Sequence, residues 1–93
     1  MTLLRRRMTE DMQLRQFSPR TQDTYLSAVT RFAKHFGCSP GQLGPAHIRA
    51  YQLHLLSRHA SRSTLIVTVA ALRFFYTVTL RSHHAKEAGG SLA

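Results

Sequence analysis

The stretch SRSTLIVTVAALRFFYTVTL, residues 61–80, decides the fold. Ser61 is placed to cap free backbone N–H groups with its hydroxyl, and Thr64 supports the first turn. Leu65, Val69, Leu72 and Tyr76 follow at steps of four, three and four, which puts them on one helical face. The spacing predicts a helix whose apolar side is the middle of a core, with Arg62, Ser63 and Arg73 off that stripe. Two rival readings lose. The β-branched residues Val67, Thr68, Val69, Thr77, Val78 and Thr79 suit a strand, but the three-and-four spacing and the run Val69-Ala70-Ala71-Leu72-Arg73 favour a helix. The segment is also apolar enough to suggest a membrane span. It falls short of the ~20 apolar residues a crossing needs, and Arg73 near its middle would cost about 2.5 kcal/mol or more. The end near 77–79 is expected to fray or extend.

The segments before it have helical period too. In GPAHIRAYQLHLL, Pro45 starts a helix whose apolar face is Ile48, Tyr51 and Leu55, widened by Ala50, Leu53 and Leu56, with His47, Arg49 and His54 at polar positions. The connection Arg58-His59-Ala60 is so short that this helix and the next should be neighbours in space. Upstream, residues 37–45 hold three Gly and two Pro and read as a loop in which Leu43 dips inward. Before the loop, SPRTQDTYLSAVTRFAKHFG has the best-marked boundaries in the chain. Ser18 caps, Pro19 takes the first helical position and Gly37 closes the end. Tyr25, Val29, Phe32 and Phe36 form its face, with Arg20, Thr24, Arg31, Lys34 and His35 elsewhere, and Phe17 is placed to staple back on the first turn. Residues 3–15 carry only the narrow stripe Leu4, Met8, Met12, read as a lid and not a core, with Arg5, Arg6 and Arg7 on its polar side within reach of phosphates. Residues 82–93, without apolar period, read as a flexible tail. The expectation is an all-α domain over 1–81, its core supplied by Tyr25, Val29, Phe32, Phe36, Ile48, Tyr51, Leu55, Leu65, Val69, Leu72 and Tyr76.

Composition narrows the partner. Thirteen Lys and Arg stand against four Asp and Glu in 93 residues, a net charge of +9, and eleven of the thirteen are Arg. Arginine's planar fork matches phosphate, and such an imbalance repels itself unless an anion is near. Nucleic acid is the first partner to consider. The single Cys38 excludes an internal disulfide and gives no thiolate cluster, and the first residues do not form a signal peptide or anchor. A soluble, cytoplasmic protein is expected.

Catalysis fails on inventory. The acids Glu10, Asp11, Asp23 and Glu87 have no partners at a telling spacing, and the six His contain no pair three or four residues apart on a helix. No metal, cofactor or small-molecule substrate is expected, and Cys38 reads as a free structural thiol. What remains is two basic helix starts: Ser18, Arg20, Thr21 and Thr24 on the second helix, Arg62, Ser63 and Thr64 on the fourth. Free N–H groups at such starts can dock a phosphate while Arg and Thr reach base edges. Ordinary capping beside solvated charge would use the same residues.

In their order and spacing, SPRTQDTYLSAVTRFAKHFG, GPAHIRAYQLHLL and residues 61–80 resemble the N-terminal core-binding domain of tyrosine recombinases, the phage-integrase class. The resemblance covers about residues 3–80. It implies a four-helix SAM-like bundle that clamps one side of double-stranded DNA at a recombination half-site, its second and fourth helices approaching the major groove. The matching positions are Ser18, Pro19, Arg20, Thr21, Thr24 and Arg31, then Arg62, Ser63, Thr64 and Arg73, whereas Tyr25, Phe32, Leu72 and Tyr76 match packing positions. Two features depart from the family: Ile66 and Val67 stand where polar or basic residues are frequent, and no His-x-x-Arg motif follows residue 80. Tyr25, Tyr51 and Tyr76 lie in apolar stripes, so the chain by itself is expected not to cut or rejoin DNA. An alternative is a helical interaction module that pairs with or inhibits recombinase subunits, suggested by Ile66, Val67, Phe74 and Val78 outside the main stripe. A stand-alone helix-turn-helix regulator fits the helix lengths less well.

Overall fold

The computed structural model describes residues 3–81, so the expected tail at 82–93 lies outside the described residues. The elements are α1 (Leu3–Leu14), α2 (Pro19–Phe36), a 3₁₀ turn (Pro40–Gln42), α3 (Pro45–Ser57) and α4 (Arg62–Phe74), which continues as a π-helical segment over Phe75–Leu80. The described residues form a four-helix, all-α bundle, as the sequence predicts. Its boundaries come from local chemistry. Ser18 Oγ accepts from Thr21 N–H at 3.2 Å and Ser61 Oγ from Thr64 N–H at 3.1 Å, so both central helices begin with the same Ser-x-x-Thr cap. Gly37 ends α2 in the left-handed region (φ 67°), its N–H bonded to Ala33 O, with Cys38 N–H reaching the same carbonyl. Gln16 and His59 end α1 and α3 with the same left-handed twist at φ 59° and 60°.

The bundle is built on α2 and α4, with α1 laid across α2 and the π segment, and α3 against α4. Phe32, fully buried, meets Phe36 at 5.3 Å, Tyr51 at 5.4 Å and Tyr76 at 6.4 Å between ring centroids, all edge to face. A second aromatic group closes the other end: Phe17 lies 5.8 Å from Tyr25 and 5.3 Å from Phe74, and Arg15 sits over the Phe74 ring. Phe17 therefore reaches past the first turn of α2 and pins α4. Leu43 is buried, as predicted for the loop.

Two expectations about the core change. First, α1 is no lid: Met8 and Met12 are 1% and 0% exposed, among the most buried side chains in the molecule. Second, the buried side of α4 is turned about one residue, roughly 100°, from the predicted stripe. Leu72 is shared, but Leu65 and Val69 are only half-buried, and Thr68, Ala71 and Phe75 are buried instead. Near 77–79, where the helix was expected to fray or extend, it extends. The wider π turn brings Thr79 to the inside, where its hydroxyl donates to Asp11 Oδ2 at 2.9 Å and ties α1 to the end of the bundle. Of Ile66, Val67, Phe74 and Val78, only Ile66 is exposed.

The continuous helical stretch Arg62–Leu80, 19 residues, is long and apolar enough to cross a membrane by those criteria alone. Here Thr68, Ala71, Leu72, Phe75, Thr79 and Leu80 bury its inner side against the other helices. It is the central helix of the bundle.

Two outcomes test this packing. Phe75→Ala should destabilise by about 3 to 5 kcal/mol, whereas Val69→Ala should cost less than half as much, measured by urea unfolding; equal costs would restore the predicted stripe. The second outcome concerns alkaline pH. Burial pushes the pKa of the Tyr76 hydroxyl up to about 12 from the ordinary tyrosine value, while that hydroxyl donates to Pro40 O at 2.5 Å. The unfolded chain loses this proton first, so the stability the neutral phenol contributes is whole below about pH 10 and is lost as pH climbs toward 12. Tyr76→Phe should flatten the fall in stability over that window. An unchanged pH profile would show that Tyr76 does not titrate late.

Candidate nucleic-acid interface

The two Ser-x-x-Thr starts are alike beyond the cap. In each, the serine hydroxyl also donates to the threonine oxygen, Ser18 to Thr21 at 2.9 Å and Ser61 to Thr64 at 3.0 Å. The serines are thus held by the backbone they cap, and the threonine hydroxyls keep their protons for an outside acceptor. Thr24 differs, because its hydroxyl donates to Arg20 O at 2.9 Å. Arg20 and Arg62, within the first turns of α2 and α4, point to solvent.

Between α2 and α4 runs an open cleft of about 460 Å³. Thr24 and Arg31 line it from α2, Ser63 and Thr64 from α4, with Tyr51 and Leu55 of α3 at its base. The structure thus brings four of the predicted site residues together. Ser18, Arg20 and Thr21 lie about one turn before the cleft wall, Arg62 is the residue ahead of it, and Arg73 sits in the last turn of α4, away from it.

Several cleft residues were not predicted. Asp23 and Ser27 line the α2 side, and Tyr51, expected in the core, both packs under Phe32 and meets the cleft. Thr24, Ser27 and Arg31 are three and four residues apart, so the polar stripe of α2 was as readable as its apolar one. Burial pushes the Tyr51 hydroxyl up, and the nearby Arg31 guanidinium lowers it in part, which places Arg31's charge beside the ring. Of the two positions that depart from the family pattern, Val67 lines the wall and Ile66 points away, 58% exposed.

The electrostatics around the cleft favour an anion. Among the described residues the ion pair is Arg6 with Glu10, 3.9 Å apart and both exposed, so Arg20, Arg31, Arg62 and Arg73 have no carboxylate partner there. Asp23 is the acid in the cleft. It repels phosphate locally and is an acceptor for an exocyclic amine. The arginine triplet divides: Arg5 donates to Thr30 Oγ1 at 3.4 Å, Arg6 pairs with Glu10, and Arg7 is half-buried. Histidines that the sequence keeps apart come together across helices, His35 and His54 with ring centroids 4.3 Å apart. No group of three or more metal-ligating side chains occurs among the described residues.

Comparison with known proteins agrees with this architecture. Residues 4–85 match the family described as phage integrase, N-terminal SAM-like domain. The chain is 49% identical over 81 residues to a protein of Sinorhizobium fredii (strain NBRC 101917 / NGR234) named "Putative integrase/recombinase y4qK". That match takes in 86% of this chain and 26% of the relative, so the chain spans about a quarter of the relative's length. No solved structure matches it. A four-helix bundle with these boundaries, matched over nearly all its described residues, belongs to the family of phage-integrase N-terminal SAM-like domains.

Proposed function

We propose that this domain is the double-stranded-DNA-binding module of a tyrosine recombinase or integrase, gripping one side of a recombination half-site in a cytoplasmic setting. The observation that carries this reading is the α2–α4 cleft. Thr24 and Ser27 of α2, Ser63 and Thr64 of α4 and the Arg31 side chain line it together, in a chain of net charge +9. The domain, residues 1–81, binds and positions DNA and performs no chemistry by itself.

The roles divide by position. Arg31, Ser63 and Thr64 inside the cleft face base edges, where a bidentate arginine contact to guanine is the commonest specific one. Arg20 and Arg62, ahead of the cleft, and Arg73, further along α4, hold phosphates. Ser18 and Thr21 act through the capped helix start, which presents free N–H groups and positive charge to a phosphate. Thr24 lines the cleft with its hydroxyl proton already engaged, so it offers an acceptor and a methyl surface.

This division predicts two signatures in competitive binding to a selected half-site and a random duplex. Arg31→Ala should narrow the gap between the two duplexes by about 1 to 3 kcal/mol. Arg20→Ala and Arg62→Ala should weaken both alike and reduce the salt slope by about one unit each. The selected site comes from enrichment of a random pool. Equal, sequence-blind losses in all three variants, or no enrichment, would leave a non-specific polycation in place of a half-site reader.

A further inference from the structure

The described residues hold three acids, Glu10, Asp11 and Asp23. Two are engaged: Glu10 lies 3.9 Å from Arg6, and Asp11 accepts the Thr79 hydroxyl at 2.9 Å. Asp23 is exposed, lines the α2–α4 cleft, and its carboxylate has neither a hydrogen bond nor an ion pair among the described residues. The fold does not call for it. Asp23 is the fifth residue of α2, past the Ser18 cap and outside the first turn, where the benefit of the helix dipole to an acid ends. A carboxylate in this place opposes the approach of phosphate, in a chain that carries thirteen Lys and Arg.

Asp23, Ser27 and Arg31 form a polar row at steps of four along α2, and all three line the cleft. The eight residues from Asp23 to Arg31 span roughly 12 Å of helix, so the two charged groups reach positions within about four base pairs of each other at ~3.4 Å per step. An ionised carboxylate only accepts hydrogen bonds. Of the four bases, guanine and thymine show it acceptors in the major groove, and adenine sets its N7 acceptor beside its N6 amine. Cytosine alone presents a donor, the N4 amine, with no acceptor next to it on the same base.

We propose, resting on the DNA-binding reading of the cleft, that Asp23 is a specificity-determining residue: its carboxylate accepts from the N4 amine of one cytosine in the half-site. Elsewhere the same charge repels phosphate and weakens binding. Asp23 and Arg31 thus read two positions of one groove, a cytosine and a guanine, with opposite charges.

The test enriches a random duplex pool in parallel with the full chain and with its Asp23→Asn and Asp23→Ala variants. The unaltered chain should fix cytosine at one position within about four base pairs of the guanine whose preference Arg31→Ala abolishes. Asp23→Asn should move that position to adenine, which an amide reads through N6 and N7, and Asp23→Ala should leave it without preference. Both variants should bind random duplex about two- to fivefold more tightly, opposite in sign to the loss of a cleft arginine. In the selected duplex, N4-methylcytosine at that position keeps the base pair and removes the groove-facing N–H. It should weaken the unaltered chain at least about tenfold, the margin of a hydrogen bond to a charged group, and leave Asp23→Ala unchanged. The same selected sequence from all three proteins, looser binding of the variants to random duplex, or tolerance of N4-methylcytosine would each overturn the proposal while leaving the cleft a DNA surface. Failure of the unaltered chain to enrich any sequence would overturn the DNA-binding reading, and this proposal with it.

Discussion

Phe32 on α2, Leu72 on α4 and Phe75 at the start of the π segment must leave water together, and neither helix can arrange that alone. The three side chains are at most 1% exposed. Burying a residue of this size is worth about 1.5 to 3 kcal/mol, a large share of the stability that so small a domain has. The other elements serve this contact. Tyr51 of α3 and Tyr76 of the π segment set their edges against Phe32, and Met8 and Met12 of α1 fill the space that the two central helices leave. Because α2 gives one face to the core, its two flanks stay available. One becomes the polar cleft, the other a mostly apolar concavity that Leu26, Thr30 and Ala33 line.

Much of this frame was legible in the residues. Ser18, Pro19 and Gly37 mark α2 by chemistry that acts within one turn, and Ser61 marks α4 in the same way, so their starts, and the end of α2, are where the sequence predicts. The short Arg58-His59-Ala60 connection forces α3 and α4 together whatever else the chain does. The facing of α4 was not legible, for two reasons. Threonine can be a core residue, as Thr79 is with its hydroxyl on Asp11, yet the buried Thr68 and Thr79 count as polar in any apolar pattern. The π turn then shifts the phase after Phe74, which a fixed helical period cannot anticipate. Met8 and Met12 were misjudged for a third reason: a narrow stripe on a short helix looks peripheral until the width of the gap it must fill is known.

The site was legible in part for a related reason. Helix starts announce themselves through caps, so Ser18, Thr21, Ser63 and Thr64 were accessible from sequence. Which of them share a surface depends on how α2 and α4 cross, which no local signal carries. Hence Thr24, Arg31, Ser63 and Thr64 line one cleft, while Arg73 sits elsewhere. Tyr51 shows the same limit from the other side, since an aromatic in an apolar stripe reads as core even when part of it faces a cleft. The meeting of His35 and His54 across two helices, invisible to any spacing rule, is a further case.

The central claim is that the α2–α4 cleft is the surface that meets DNA. Amide chemical-shift mapping of the domain during titration with a selected duplex tests it most directly. The account predicts that the largest shifts fall on Thr24, Ser27, Arg31, Ser63 and Thr64, while Leu26, Thr30 and Ala33 on the opposite flank of α2 stay close to their free values. Shifts spread evenly over the basic surface, or centred on that opposite flank, would contradict it.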